Sequence, residues 1–82
     1  MADQFPGRNG IKLHKWKRNN LELIGLVQTN YRGTELFDLR IWYKSEDAHY
    51  PSRSGISFRK DEIEKLYRAV CKARAIIRLR KR

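Results

Sequence analysis

Two periods divide this sequence. Over residues 36–44 apolar and polar side chains alternate singly, so that in an extended chain Phe37, Leu39, Ile41 and Tyr43 share one face and Asp38, Arg40, Trp42 and Lys44 the other. From about Lys60 the apolar positions Ile63, Leu66, Tyr67, Val70, Ala73 and Ile77 recur every three or four residues and form one helical stripe. One period cannot serve the other backbone, so a strand region must give way to a helix. One face of that strand is greasy, and the other is basic and aromatic.

Residues 11–17 set Ile11 and Leu13 between Lys12, His14 and further cations, which predicts a short strand. Asn19 and Asn20 interrupt it. Residues 21–31 are rich in aliphatic and β-branched side chains and predict a second strand, and Gly33, just after Tyr31-Arg32, supplies the positive φ of a tight hairpin. Residues 45–54 collect Ser, Asp, Pro and Tyr and predict a loop, followed by a brief fourth strand at Gly55-Ile56-Ser57-Phe58. Asp61, Glu62 and Glu64 open the helix and cations close it, as the macrodipole prefers, although Arg59 is a poor residue for the cap position. The order is four strands and then one helix.

A chain of 82 residues makes one domain. At this size only about 60% of the unfolded chain's surface is buried, so stability is marginal and a second copy covering the helix stripe is expected. Nineteen Lys and Arg against nine Asp and Glu give a net charge of +10, which points to a polyanionic partner. The excess lies in the flanks, because residues 21–71 hold eight charges of each sign while residues 72–82 hold six cations and no acid. We expect a flexible arm over residues 1–10, a folded domain over 11–77 and a basic tail over 78–82, with Pro6, Gly7 and Gly10 marking the arm. The chain shows neither an apolar run of bilayer length nor a signal-peptide pattern, so the expectation is an intracellular protein without membrane contact: cytoplasm or nucleoid in a bacterium or phage, nucleus in a eukaryote.

Catalysis is not expected. There is no glycine-rich phosphate loop, no carboxylate cluster and no nucleophile beside a base. Cys71 with His14 and His49 makes no metal-ligand spacing, so neither metal nor cofactor is expected, and Cys71 reads as a small buried hydrophobe near a subunit seam.

Phe37-Asp38-Leu39-Arg40-Ile41-Trp42-Tyr43, then Pro51-Ser52-Arg53-Ser54-Gly55-Ile56-Ser57-Phe58 and a helix opening Asp61-Glu62-Ile63-Glu64-Lys65-Leu66, resemble the C-terminal domain of the transcriptional positive cofactor four family. That likeness spans residues 31–70. It implies an α+β protomer of ββββα order, with a four-stranded antiparallel curved sheet, a homodimer through the helices (Ile63, Leu66, Tyr67, Val70 and Ile77), and single-stranded DNA binding without strict sequence preference. Ile41, Ser54, the basic C-terminal extension and the lack of a serine-rich N-terminal region depart from the eukaryotic coactivators. By position, the resemblance places Tyr31, Arg40, Tyr43 and the Arg53 segment at nucleic-acid contacts.

The residue types fit independently, since aromatic rings stack exposed bases and interleaved cations neutralise phosphates. Trp42 and Tyr43 point to opposite faces of an ideal strand, so one of them stacks and the other is a core aromatic. The resemblance favours Tyr43; the company of Arg40 and Lys44 favours Trp42. Arg40 either contacts phosphate or pairs with Asp38. Arg32 and Lys44 are phosphate contacts or solubilising charges, and Lys15, Trp16, Lys17 and Arg18 form a basic-aromatic stretch of the kind a backbone-tracking groove uses, with cover for the sheet edge as the other role open to Trp16. Single-stranded DNA is the expected partner, with RNA, unpaired duplex regions and the transcription or replication machinery as further possibilities; the alternative functions are a small RNA-binding module that reads 2′-hydroxyls and a protein-interaction module whose helix recruits a partner while the charge only steers.

Overall fold

Each strand of the sheet follows its neighbour in sequence, because every connection is too short for anything but a return. The computed structural model describes residues 10–80. Strands β1 (Ile11–Lys17), β2 (Glu22–Tyr31), β3 (Thr34–Ser45) and β4 (Ala48–Phe58) form one antiparallel sheet in the order β1-β2-β3-β4, and α1 (Lys60–Arg80) follows. The fold is the expected ββββα. Arg32 and Gly33, with φ of 52° and 80°, turn β2 into β3 with positive φ at both central positions, the type I′ pattern. Between β1 and β2, Asn19 Oδ1 accepts from the amides of Leu21 and Glu22, each at 2.9 Å, which explains why an asparagine ends the first strand.

The expected loop over residues 45–54 is not a loop. β3 runs on to Ser45, Glu46 and Asp47 turn the chain, and β4 begins at Ala48. No glycine marks this turn; Glu46 itself takes the left-handed conformation, with φ 55°. Pro51 is tolerated because β4 is an outer strand, where a missing N–H need not break a ladder. β4 also bulges: Arg40 pairs with Gly55 and Trp42 with Pro51, so residues 52–54 stand opposite Ile41 alone.

The register assembles two different faces. On one, Leu23 sits across from Trp42 and Pro51, Gly25 from Arg40 and Gly55, and Val27 from Asp38 and Ser57. This face holds Leu23, Val27 and Trp42, which with Ala48 form the buried core. Lys15 and Lys17 of β1 line an open cavity together with His49 of β4, so the sheet is curved enough for side chains of its two outer strands to face one another across this face. Burying side chains of this size stabilises by about 1.5–3 kcal/mol each. The greasy face is the less covered one: Ile24, Leu26, Phe37, Leu39 and Ile41 are half-buried, and Ile56 is exposed.

A guanidinium holds the bulge. Arg40 donates from Nε and Nη2 to the two Asp38 carboxylate oxygens at 3.0 and 2.9 Å, and from Nη1 to the Ser52 carbonyl at 2.8 Å. Ser57 Oγ donates to Asp38 Oδ1 at 3.0 Å. Hydrogen bonding to Asp38 raises the Arg40 pKa above its ordinary value, partial burial opposes that shift, and the Asp38 charge adds to it. Gly55 makes the arrangement possible, since a Cβ there would lie 2.8 Å from Arg40 Cγ and Cζ.

Helix α1 begins where Arg59 caps it through main-chain atoms. The Arg59 carbonyl accepts from the amides of Glu62 and Ile63, and the Arg59 amide donates to Glu62 Oε1 at 3.0 Å, so the glutamate supplies half of a capping box that the arginine side chain cannot complete. Its half-buried residues, Glu62, Ile63 and Leu66, all lie in the first two turns. Beyond them Tyr67, Val70, Ile76, Ile77 and Leu79 are exposed, and so is Cys71, which the sequence led us to place in a buried position. The helix also continues through Arg80, past the expected domain end at residue 77; the expected arm lies outside the described residues except for Gly10, as do residues 81–82 of the tail.

Substituting Gly55→Ala should lower stability by about 1–3 kcal/mol, read as a lower denaturant midpoint at unchanged slope. In an Arg40→Gly background, which removes the Arg40 Cβ at 2.9 Å as well as Cγ and Cζ, the same substitution should cost far less, and an equal cost in both backgrounds would rule out the close approach as the cause.

Candidate nucleic-acid interface

Aromatic rings and cations gather at both ends of β3. At one end the β2–β3 hairpin carries Tyr31, exposed, with the Arg32 guanidinium carbon 5.3 Å from its ring centroid. At the other end Tyr43 is 45% exposed and stacks on Tyr50, with ring centroids 5.6 Å apart and planes 23° from parallel. Nine residues of extended chain separate Thr34, which pairs with Tyr31, from Tyr43, a span of about 30 Å. Exposed Lys44 follows Tyr43, and its amide donates to the Leu21 carbonyl at 2.6 Å, fixing the backbone at this end.

Trp42 is placed differently from Tyr43. It is 5% exposed, on the concave face between Leu23 and Pro51, so its ring belongs to the core and offers no face to a base. The expectation that favoured Trp42 from its neighbours Arg40 and Lys44 fails for a geometric reason: the face that carries these cations is the one over which the sheet closes. Arg40 is also less available than expected. Its side chain is 24% exposed and it binds Asp38 and Ser52, which makes it a brace for β4. Arg53, by contrast, is exposed on the bulge that Arg40 holds.

Lys15 and Lys17 are exposed on β1 and line a cavity of about 330 Å³ with Trp16, Leu23 and His49. Partial burial lowers the His49 pKa from its ordinary value, and the charges of Lys15 and Lys44 lower it further. His49 is therefore neutral at physiological pH. Trp16 is 47% exposed and lies 6.1 Å from the His14 ring, centroid to centroid. Neither Tyr50 nor His49 was singled out from the sequence. The polar composition around Pro51 hid the strand that sets Tyr50 opposite Tyr43 and His49 opposite Lys44.

Along α1, Lys65, Arg68, Lys72, Arg74, Arg78 and Arg80 follow Glu64 with no further acid. The helix thus ends strongly positive on a stem that contacts the sheet only near its start. Among the described residues no helix is long and apolar enough to cross a membrane.

An open, curled four-stranded sheet with one C-terminal helix, rimmed by lysines, arginines and exposed rings, defines a small β4α nucleic-acid-binding module. The family model described as Transcriptional Coactivator p15 (PC4) matches residues 26–69, more than half of the chain, and the chain belongs to that family. Its fold resembles two crystal forms of BPSL1147, a PC4 homolog from Burkholderia pseudomallei K96243. The orthorhombic form gives a TM-score of 0.75 at 23% identity, covering 79% of this chain and 89% of that one. The tetragonal form gives 0.73 at 23% identity, covering 78% and 96%. No curated protein matches the sequence at a significant level.

The two adjacent aromatics should separate in a stability measurement. Trp42→Ala should cost about 3–5 kcal/mol because it empties the core, whereas Tyr43→Ala at a half-exposed site should cost below about 1 kcal/mol. Equal losses in urea unfolding would contradict the assignment of Trp42 to the core.

Proposed function

We propose that this protein binds single-stranded DNA as a homodimer, without catalysis and largely without sequence preference. The observation that carries the reading is the exposed Tyr43 ring, stacked on half-buried Tyr50 beside Lys44, with a second ring and cation, Tyr31 and Arg32, at the far end of the same strand. Unpaired nucleotides present π-faces that duplex DNA hides, and a ring accepts any base, so stacking contributes about 1–3 kcal/mol per base with little discrimination. Lys15, Lys17, Lys44, Arg32 and Arg53 neutralise phosphates around these rings. Arg40 acts indirectly, by fixing the bulge that presents Arg53. Membership of a nucleic-acid-binding coactivator family supports this reading, and a role in transcription, replication or repair, in contact with that machinery, follows from it.

Dimerisation rests on what α1 leaves uncovered. Tyr67, Val70 and Ile77, on the same stripe as half-buried Ile63 and Leu66, lose contact with solvent only if something packs on them, and a second copy brings an equally apolar stripe. The long cationic stem raises the association rate through steering whether or not it touches the strand.

Titration of matched single-stranded DNA, RNA and duplex at several salt concentrations tests the binding. Single-stranded DNA should bind most tightly, Tyr43→Ala should weaken it by about 1–3 kcal/mol, and Arg53→Ala should reduce the slope of log affinity against log salt by about 0.7. A preference for duplex, or indifference to both substitutions, contradicts the sheet site; preference for RNA moves the assignment to an RNA-binding module reading 2′-hydroxyls.

Val70→Glu should convert the dimer to monomers or unfolded chains in sedimentation experiments over a range of concentrations. A stable dimer of this variant would place the interface elsewhere.

A further inference from the structure

The cavity between β1 and the β3–β4 hairpin has features that stacking along the sheet does not use. It is lined by Lys15, Trp16, Lys17, Leu23 and His49, and Lys44 stands close enough to His49 to perturb it. We propose that this cavity holds a terminal phosphate of a nucleic-acid strand, that is, a phosphomonoester joined to a nucleoside. The inference rests on the strand-binding function proposed above and names the part of the strand that this end of the sheet takes.

Charge argues for a terminal phosphate over an internal one. A phosphodiester carries one negative charge, whereas a phosphomonoester carries about −1.5 to −2 at neutral pH and has three strong acceptor oxygens. Lys15 and Lys17 of β1 line the cavity, Lys44 of β3 stands across from His49 and acts on it electrostatically, and among the described residues no carboxylate lines the cavity. Such a cluster is matched by a dianion more closely than by a monoanion. Size agrees. At about 330 Å³ the cavity lies near the lower end of small-ligand sites, about 300–1,000 Å³, so it suits one nucleotide and not a run of them. Chemistry agrees as well, because Trp16 supplies a ring and Leu23 an apolar wall for the attached nucleoside.

His49 reports on the occupant. In the free protein it faces Lys15 and Lys17 from β1 and Lys44 from its own hairpin, all positive, and it stays neutral. A bound dianion offsets that field, so the imidazole pKa rises on binding.

Fluorescence anisotropy on the full chain, at fixed salt and pH 7.5, compares one thymidine oligonucleotide carrying a 5′-phosphate, a 3′-phosphate or hydroxyls at both ends. One phosphorylated form should bind about tenfold more tightly than the hydroxyl form, the gain expected from charge-assisted contacts. His49→Leu should reduce that ratio to below about threefold while leaving the hydroxyl form unchanged. In parallel, NMR titration of the His49 ring in the unaltered protein should show a higher pKa with thymidine monophosphate and no change with thymidine. Equal affinity for all three oligonucleotides, with no response of His49, overturns the inference while strand binding stands. A His49 response to the monophosphate without any end preference overturns the strand-end assignment in favour of a free mononucleotide. Failure of the hydroxyl form to bind overturns the strand-binding function, and the His49 titration then still decides whether the cavity takes the phosphate.

Discussion

The side chain of Arg40 organises this sheet. It lies over Gly55, in register with Gly25 on the other side, and its guanidinium ties β3 to itself through Asp38 and to β4 through the Ser52 carbonyl. Charge-assisted hydrogen bonds of this kind contribute about 1.5–3 kcal/mol when partly shielded from water. The consequence is geometric as much as energetic. The guanidinium sits at the bulge where residues 52–54 bow out opposite Ile41, and a bulge of this kind bends its strand; on the same face Trp42 is buried across from Leu23. The exposed cation at this place is then Arg53, not Arg40.

Curvature also sorts the aromatics. A flat sheet would leave Trp42 and Tyr43 equally open on opposite faces. In the curled sheet the concave side is filled by Trp42 and the rim is left to Tyr43, Tyr50 and Trp16. Rings at a rim serve a flexible ligand well, because each can meet a base without requiring the whole strand to enter a closed groove. The helix solves a separate problem. It anchors on the sheet through its first two turns and carries the rest of its apolar stripe into solvent, which a single chain of this size has no further layer to cover.

Much of this was legible in the residues. Alternation over residues 36–44 and the stripe from Ile63 to Ile77 identify β3 and α1, Gly33 identifies the first hairpin, and the run from Phe37 to Leu66 suffices for the family. Residues 45–54 were not legible as strand, because a Glu46-Asp47 turn without glycine, a proline on an outer strand and a three-residue bulge each erase the period-two signal. Tyr50 and His49 were lost with that strand. Arg40 and Trp42 were visible as candidates, but their roles depend on distances across β2 and β4 that no spacing along β3 encodes.

The sequence by itself determined which segments extend and which coil, the excess of positive charge and where it lies, and the residue types available to meet a strand of nucleotides. Those properties follow from local sterics, side-chain period and composition. Only the tertiary structure decided which face closes, because the sense of sheet curvature depends on how Arg40, Asp38, Ser52 and two glycines from three strands fit together. That fit placed Trp42 inside, left Tyr43 at the rim and gathered lysines from β1 and β3 around His49 of β4.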